Sequence, residues 1–173
     1  MTPIHITILT ISDRAAAGTY EDQSGPALQA LVERALEATV VTTAIVPDDR
    51  ARIAAQLRAW ADDGETDIIL TTGGTGFTPR DVTPEATQEV IEKEAPGLAE
   101  AMRAASLAIT PHAMLSRAVA GIRGQTLIIN LPGSPKGATE NLRTVLPALP
   151  HAVELLRNEP TGEAGHIPTS PTV

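Results

Sequence analysis

Short apolar runs alternate with amphipathic stretches in the first half of the chain. Residues Ile4 to Ile11 are rich in β-branched side chains and are bounded by polar residues, which predicts a β-strand. The runs from Val40 to Val46 and from Asp67 to Thr72 predict two more strands. Between these runs apolar residues recur at helical spacing, namely Leu28, Leu31, Val32, Ala35 and Leu36, and then Ile53, Leu57 and Trp60. This order predicts a parallel sheet with right-handed crossovers.

The second half of the chain continues this pattern and adds a hairpin. Helices are predicted near residues 84–94, 97–108 and 137–157. Two apolar runs, Ala118 to Ile122 and Thr126 to Leu131, flank a turn at Arg123-Gly124-Gln125. We therefore predict an α/β fold in three layers: a mostly parallel sheet, helices on both of its faces, and a small β-hairpin element.

One domain is expected to span residues 1–157, because the patterned segments follow one another without a linker or an internal repeat. A chain of 173 residues is long enough to bury a sizeable core. From residue 158 to residue 173 the composition changes to Pro, Thr, Gly and Glu without a core-forming pattern. This segment is predicted to be a C-terminal tail.

Composition limits the possible partners. Hydrophobic residues make up 42% of the chain and charged residues 20%, which is ordinary for a globular protein. Aromatic residues make up only 2%, and the net charge is −8, from 13 basic and 21 acidic residues. Nucleic-acid binding is therefore disfavoured, because it relies on aromatic stacking and a cationic surface. An anionic ligand needs local hydrogen-bond donors or a cation such as Mg²⁺ to bind against this charge.

Several classes of site are excluded by residue content. The chain has no cysteine, which excludes disulfides, thiolate catalysis and cysteine-based zinc sites. Its four histidines are dispersed without metal-ligand spacing. There is no signal-peptide pattern at Met1-Thr2-Pro3, and no apolar run approaches the roughly 20 residues that span a bilayer. We expect a cytoplasmic protein that does not associate with membranes.

The densest chemical signal is the stretch from Thr71 to Glu85, which reads Thr-Thr-Gly-Gly-Thr-Gly-Phe-Thr-Pro-Arg-Asp-Val-Thr-Pro-Glu. It follows the third predicted strand, and a glycine turn between a strand and a helix lets backbone N–H groups surround an anion. Thr83 is placed to cap the next helix, with Pro84 at its first position. The turn also carries Asp81, so it offers a metal-binding carboxylate beside donors for a phosphate.

Three further strand ends carry polar groups. Ser12-Asp13-Arg14 follows the first strand, Asp48-Asp49 the second, and Asn130-Leu131-Pro132-Gly133-Ser134 the last. Ligands of open parallel sheets bind beyond the carboxyl ends of the strands, so these segments are expected to meet the glycine turn at one edge. Acidic residues there would hold Mg²⁺, a hard cation that prefers carboxylate and phosphate oxygens.

Some of these residues also have ordinary structural explanations. Asp48 or Asp49 could cap the helix that starts near residue 50, although one cap position needs only one of them. The glycines could serve only tight turns with positive φ. Asp81 is poorly explained as a cap, since it lies two residues before Thr83, and its structural alternative is a solvated partner of Arg80.

Familiar nucleotide-binding and nucleophile motifs are absent from the sequence. The dinucleotide fingerprint lacks its third glycine after Gly74-Thr75-Gly76, and there is no P-loop and no Gly-x-Ser-x-Gly elbow. A phosphate site built from a loop and a metal ion, without a protein nucleophile, suits the transfer of a nucleotidyl or phosphoryl group.

These motifs resemble those of the molybdopterin adenylyltransferases of molybdenum-cofactor biosynthesis. The resemblance covers roughly residues 4–157 in order and spacing, and its central glycine-rich motif is long and specific. The segments that carry it are Thr10-Ile11-Ser12-Asp13-Arg14, Val46-Pro47-Asp48-Asp49, Thr71 to Thr87, Met114-Leu115-Ser116-Arg117-Ala118, Ala120 to Gly124 and Asn130 to Pro135.

The resemblance implies a reaction in which the terminal phosphate of molybdopterin attacks the α-phosphate of Mg-ATP and pyrophosphate leaves. It implies that Asp48 and Asp81 are the catalytic residues and the Mg²⁺ ligands. It also implies that the glycine turn cradles phosphate and that serines contact the pterin or its phosphate. The substrate-binding residues expected are Ser12, Asp13, Asp49, Thr72, Gly73, Gly74, Thr75, Gly76, Ser116, Asn130, Pro132, Gly133 and Ser134.

ATP and molybdopterin are thus the expected substrates, and the resemblance implies a homo-oligomer, with a trimer favoured over a hexamer. Two other functions stay open within this fold group: a non-catalytic molybdopterin-binding or carrier protein, and an amidase or other nucleotide hydrolase. The presence of both Asp48 and Asp81 favours catalysis. The short single domain disfavours the molybdate-insertion proteins, which resemble longer multidomain chains.

Overall fold

Six strands and seven α-helices occur in residues 3–158, the part of the chain that the computed structural model describes. In chain order they are β1 (Ile4–Ile11), α1 (Asp13–Ala16), α2 (Ser24–Ala35), β2 (Ala38–Val46), α3 (Arg50–Asp62), β3 (Ile68–Thr72), α4 (Thr83–Val90), β4 (Lys93–Glu94), α5 (Pro96–Leu107), β5 (Ala120–Arg123), β6 (Thr126–Leu131), α6 (Pro135–Val145) and α7 (Leu149–Leu156). Two 3₁₀ helices, Pro111–Leu115 and Leu146–Ala148, complete the set. No helix in this part of the chain is long and apolar enough to cross a membrane. The predicted tail, 158–173, lies outside the described residues except for Asn158.

The strands form a single mixed sheet in the order β2-β1-β3-β6-β5-β4. β2, β1, β3 and β6 run parallel, whereas β5 is antiparallel to β6 and β4 is antiparallel to β5. The predicted α/β fold and its hairpin are therefore confirmed. Thr72 pairs with Thr10 on one side and with Leu131 on the other. Because this register aligns the parallel strands, their carboxyl ends lie side by side at one edge of the sheet.

Helices cover both faces of the sheet, which confirms the three layers. Side chains alternate along each strand, so Ile6 and Ile8 enter one core and Leu9 and Ile11 enter the other. The larger core packs the first face against α2, α5, α6 and α7. The smaller core packs the second face against α3 and α4. Most of the apolar side chains in these cores are fully buried, and they fix the strand ends that carry the polar loops.

Two predicted helices differ from the structure. The helix predicted over 84–94 ends at Val90, and the edge strand β4 follows at Lys93–Glu94, where it pairs with β5. The helix predicted over 137–157 begins earlier and is divided into α6 and α7 by a 3₁₀ turn at Leu146–Ala148. Pro147 and Pro150 lie at this junction, and each lacks the N–H that a continuous helix needs.

An ion pair joins the two ends of the described chain at the amino edge of the sheet. Arg157, just after α7, donates to Asp67 from Nε at 2.8 Å and from Nη2 at 2.6 Å. The same guanidinium donates to the Pro3 carbonyl at 2.9 Å, and Asp67 accepts the N–H of His5 at 2.7 Å. Strands β1 and β3 are thereby tied to the end of the last helix, on the side of the sheet opposite the polar loops.

Candidate active site at the carboxyl edge of the sheet

A cavity of about 680 Å³ opens where the parallel strands end. Its walls come from the ends of β1 and β3, the segment after β2, and the turn after β6. The structure brings together nine of the residues predicted for the site, namely Ser12, Asp13, Asp48, Thr72, Gly73, Gly74, Asp81, Gly133 and Ser134.

A second cavity of about 350 Å³ lies next to the first and shares Ser134 with it. Four more of the predicted residues line this second cavity: Thr75, Gly76, Ser116 and Pro132. Residues 73–76, called the glycine loop below, therefore contribute to both cavities and form part of the wall between them. Two substrates that react with each other could bind on either side of such a wall.

The glycine loop needs its glycines for close packing. Gly73 has φ 106° and Gly74 has φ 66°, a region that L side chains rarely adopt. A Cβ on Gly73 would also collide with the carbonyl oxygen of Ile11, and one on Gly133 would lie 3.2 Å from the Cα of Gly73. The N–H of Gly73 donates to the Leu131 carbonyl at 3.2 Å. Gly73 and Gly74 therefore do serve a tight turn with positive φ, as the structural explanation of the glycines predicts. The loop packs closely against the ends of β1 and β6.

Thr83 binds the backbone of the glycine loop and does not cap α4. The residue before α4 is Val82, which makes no side-chain cap. The hydroxyl of Thr83, fully buried, donates to the Gly73 carbonyl at 2.9 Å, and its N–H donates to the Gly74 carbonyl at 3.1 Å. The capping role predicted for Thr83 is therefore wrong, because the hydroxyl binds the glycine loop. Pro84 is the second residue of α4, not the first.

Asp13 and Asp48 hold each other through reciprocal hydrogen bonds. The N–H of Asp13 donates to Asp48 Oδ2 at 2.9 Å, and the N–H of Asp48 donates to Asp13 Oδ1 at 3.0 Å. Arg80 binds Asp13 with two hydrogen bonds of 2.8 and 2.9 Å. The structural alternative for Asp81, a solvated partner of Arg80, is therefore wrong, because Arg80 binds Asp13. The ion pair lowers the pKa of the Asp13 carboxyl, first through the side-chain hydrogen bond from Arg80.

Asp48 lines the larger cavity, and one of its carboxylate oxygens lies next to Gly74. A Cβ built on Gly74 would lie 3.1 Å from Asp48 Oδ1, so this oxygen lies against the glycine loop. Partial burial raises the pKa of the Asp48 carboxyl, and the nearby charges of Asp13 and Asp81 add to the effect. Negative charge therefore accumulates at this point, and a bound cation would relieve it.

Asp81 lies beside Gly76, at the other end of the glycine loop from Gly73. Its Oδ2 accepts the N–H of Thr78 at 2.8 Å, and a Cβ on Gly76 would lie 3.0 Å from the same oxygen. The N–H of Asp81 donates back to the Thr78 carbonyl at 3.0 Å. Asp81 thus closes its own loop and lines the larger cavity.

Ser12 and Ser134 each cap a helix and also line the larger cavity. Each is a helix N-cap: Ser12 Oγ accepts the N–H of Ala15 at 3.2 Å, and Ser134 Oγ accepts the N–H of Gly137 at 3.1 Å. Since a hydroxyl used as an acceptor keeps its own O–H, both serines can still donate to a phosphate oxygen.

Two predicted site residues line neither cavity. Asp49 is the N-cap of α3, and its carboxylate accepts the N–H of Arg52 at 2.9 Å. Asn130 is fully buried, and its amide donates to the hydroxyls of Thr71 and Thr87 at 3.0 and 2.9 Å while accepting the N–H of Val119 at 3.3 Å. The structure thus gives both side chains supporting roles in the fold.

Other residues line the larger cavity without a signal in the sequence that places them there. Tyr20 is 45% exposed, with the Arg14 guanidinium 4.7 Å from its ring centroid. Asp22 accepts the Thr10 hydroxyl at 2.6 Å and the N–H groups of Ser24 and Gly25 at the start of α2. An acidic residue just before a helix was a signal for a cap, but nothing in the sequence placed it at the site.

The comparison with known families agrees with this geometry. Residues 7–151 match the family described as a probable molybdopterin binding domain. The chain belongs to this family. The resemblance inferred from the sequence motifs is thereby confirmed, and the matched residues include both carboxylates that flank the glycine loop.

Relatives in this molybdopterin-binding family are similar over most of the chain. A molybdopterin adenylyltransferase of Helicobacter pylori is 48% identical over 157 residues, covering 90% of this chain and 89% of the relative. The molybdopterin adenylyltransferase of Escherichia coli is 39% identical over 186 residues, covering 100% and 92%. Gephyrin of Dictyostelium discoideum is 48% identical over 164 residues, but the chain spans only 23% of its length.

Solved structures of family members share the fold. The molybdopterin biosynthesis enzyme MoaB of Thermus thermophilus superposes with a TM-score of 0.85 at 50% identity, covering 91% of this chain and 98% of that one. The tungsten cofactor synthesizing protein MoaB of Pyrococcus furiosus superposes with a TM-score of 0.81 at 33% identity, covering 91% and 99%.

The donor set of this family member suits Mg²⁺. Within residues 3–158, no group of three or more acidic or histidine side chains is arranged as a metal cage. Mg²⁺ seldom uses such cages, since it usually binds one or two carboxylates together with water and substrate phosphates. Asp48 and Asp81 are two carboxylates on one cavity wall, which fits a cation that arrives with a phosphate ligand.

Proposed function

We propose that this chain is a molybdopterin adenylyltransferase, which transfers AMP from Mg-ATP to the terminal phosphate of molybdopterin. The observation that carries the proposal is the placement of Asp48 and Asp81 in the larger cavity, against the glycine loop that also lines the smaller one. Proteins named molybdopterin adenylyltransferase that are 39–48% identical over at least 90% of the chain support the same reaction.

Each substrate is assigned to one cavity. The larger cavity, with Asp48 and Asp81, receives the phosphates of ATP, because a nucleoside triphosphate carries the metal ion that those carboxylates suit. The smaller cavity receives the pterin, and Ser116 lies there. Ser134 lines both cavities, so the terminal phosphate of molybdopterin and the α-phosphate of ATP meet beside it.

Mg²⁺ is assigned to Asp48 and Asp81. When bound, it supplies charge neutralisation for the phosphates and polarises the bond that breaks. Four carboxylates of the described residues line the larger cavity. Asp13 is paired with Arg80, and Asp22 accepts hydrogen bonds from Thr10, Ser24 and Gly25. Asp48 and Asp81 have no arginine partner among the ion pairs of residues 3–158. The two are thus available for a cation.

The reaction needs positioning more than a protein nucleophile. An oxygen of the terminal phosphate of molybdopterin attacks the α-phosphorus of ATP, the bond from that phosphorus to the bridging oxygen breaks, and pyrophosphate leaves with the electron pair. The protein holds the two phosphates in line, with the Ser12 and Ser134 hydroxyls as donors. The rigid glycine loop keeps this geometry between the two substrates.

Direct product analysis tests the proposal. We expect the purified chain, incubated with molybdopterin, ATP and Mg²⁺, to form adenylyl-molybdopterin and pyrophosphate in equal amounts. Tight binding of molybdopterin without product formation would contradict the proposed activity and indicate a carrier protein. Hydrolysis of ATP or of another nucleotide without transfer to molybdopterin would point to a hydrolase.

A variant at Asp81 tests the assigned site. Asp81→Asn keeps the acceptor for the Thr78 N–H, so the fold is expected to be retained. We expect kcat to fall by about 10² or more, which corresponds to roughly 2.7 kcal/mol of lost transition-state stabilisation. Titration with molybdopterin should give a Kd close to that of the unmodified chain. Near-normal turnover of the folded variant would remove Asp81 from the mechanism.

The proposed function also includes an oligomeric state and a location in the cell. We place the protein in the cytoplasm, where ATP is available, and propose a homotrimer, as the family resemblance implies. The edge strand β2 exposes Val41 at 42% and Ile45 at 45%, which provides apolar area for such contacts. Sedimentation equilibrium should give about three times the chain mass of 18.1 kDa, and a mass of one or six chains would contradict the trimer.

A further inference from the structure

The segment before β5 carries an arginine, Arg117, whose side chain binds both the loop that bears Asp81 and the first turn of α4. Arg117 donates from Nε to the Gly76 carbonyl at 2.7 Å and from Nη2 to the Asp81 carbonyl at 2.8 Å. Its guanidinium also forms an ion pair with Glu85 in the first turn of α4. Arg117 lines neither cavity. It therefore touches the two ends of the loop that carries Asp81, from outside the site.

The backbone around Arg117 is itself held in place. The N–H of Arg117 donates to the Thr75 carbonyl at 2.9 Å. Arg103, from α5, donates to the carbonyls of Ser116 and Ala118 at 3.4 and 2.9 Å, on either side of Arg117. The backbone that carries the guanidinium is thus held by hydrogen bonds on both sides of Arg117. The Arg117 side chain is only 33% exposed.

These contacts bear directly on the position of the Asp81 carboxylate. The loop from Gly76 to Asp81 is closed internally by two hydrogen bonds between Thr78 and Asp81. Residues 77–80 are exposed, so two internal hydrogen bonds alone hold the loop weakly, and anchoring its ends limits its local opening. The anchors are the carbonyls of Gly76 and Asp81, and both are bound by the one planar guanidinium.

We propose that Arg117 is a positioning residue that fixes the Asp81 carboxylate at the wall of the larger cavity, by holding the Gly76 and Asp81 carbonyls against Glu85. A lysine at position 117 would keep the charge but could not bind both carbonyls and the carboxylate in one plane. The inference deepens the proposed function, on which its kinetic test rests. The structural test does not depend on that function.

Hydrogen exchange tests the anchoring. We expect Arg117→Lys to speed exchange of the amides of Thr78 and Asp81, which close the loop by hydrogen bonds, by about tenfold, because local opening of the loop becomes easier. Arg123→Lys is the matched control. Arg123 also binds a carboxylate, that of Asp62, and a backbone carbonyl, that of Val90. It lies near the amino edge of the sheet, opposite the active site. The control should leave residues 76–81 unchanged. Exchange in residues 76–81 that does not respond to Arg117→Lys would overturn the inference.

A double-mutant cycle tests the link to Asp81. In the unmodified background, we expect Arg117→Lys to lower kcat by about tenfold or more while the KM for ATP changes by less than about threefold. In the Asp81→Asn background, the same substitution should change kcat by less than about twofold, because the carboxylate that Arg117 positions is already absent.

The outcomes separate the inference from the function on which it rests. An equal loss of kcat in both backgrounds means that Arg117 acts on stability or on another group, and it overturns the positioning role. If the unmodified chain forms no adenylyl-molybdopterin, the proposed function fails, and the exchange rates of residues 76–81 alone decide whether Arg117 fixes the loop.

Discussion

Asp48 and Asp49 are adjacent in sequence, yet the structure gives them different tasks. Asp49 caps α3 through the N–H of Arg52, whereas Asp48 exchanges hydrogen bonds with Asp13 and directs one oxygen toward the glycine loop. The pattern of two acidic residues before a helix predicts that one of them caps. It cannot say which, because the choice depends on the backbone direction at the end of β2.

This pair provides a matched test. Asp49→Ala removes the cap and should destabilise the protein by about 1 kcal/mol in urea unfolding, with kcat unchanged. Asp48→Asn should lower kcat by about 10² without loss of stability, because burial already raises the pKa of Asp48 and disfavours its charge. The reverse pattern, with activity lost at Asp49 and kept at Asp48, would exchange the two roles.

Other residue assignments show where sequence reasoning reaches its limit. Asp81 was inferred from its poor fit to a capping role, and the structure does place it at the cavity wall. The structural alternative for Asp81 is a pair with its neighbour Arg80, but Arg80 binds Asp13, which lies 67 residues away in the chain. Long-range partners of this kind follow from the order of strands in the sheet, which no local pattern contains.

At the scale of elements, strands were easier to predict than helix ends. β1, β3 and β6 are buried on both faces, so their apolar runs are continuous and distinct in the sequence. β4 has only two exposed residues, and it exists because it pairs with β5. The division between α6 and α7 follows from Pro147 and Pro150, whose effect depends on the register of the helix.

The turn after β3 can be tested by adding a single methyl group. Gly73→Ala should destabilise the protein by about 2 kcal/mol or more, because positive φ and the collision with the Ile11 carbonyl act together. Gly64→Ala is the matched control, since Gly64 also has positive φ (75°) but has no atom within 4 Å of the added group. The control should cost only about 1 kcal/mol. Equal melting temperatures for the two variants would mean that the close packing of the glycine loop is not as described.

At the scale of the whole molecule, arginines join elements that are distant in sequence. Arg123 binds Asp62 across the end of α3, Arg58 and Arg50 bind Glu89 between α3 and α4, and Arg117 binds Glu85. Hydrogen bonds from these arginines lower the pKa of the carboxyls of Asp62, Glu85 and Glu89.

This arrangement predicts a loss of stability in acid. Because the pKa of each carboxyl is lower in the folded state, its contribution is fully present above the unfolded pKa of about 4. The contribution is lost as the pH falls through the lower folded value. We expect the melting temperature to drop between pH 5 and pH 3, and to drop less in Arg123→Gln, which has already lost the pair with Asp62. An identical pH dependence in that variant would show that the pair adds nothing to stability.

The ion pair between Arg157 and Asp67 has a consequence for how such a domain can be combined with others. It brings Pro3 and Arg157 together at the amino edge, and the eight residues of β1 separate that edge from the active site by roughly 25 Å. A polypeptide joined directly at Pro3 or at Arg157 would therefore begin on the side of the sheet opposite the cavities.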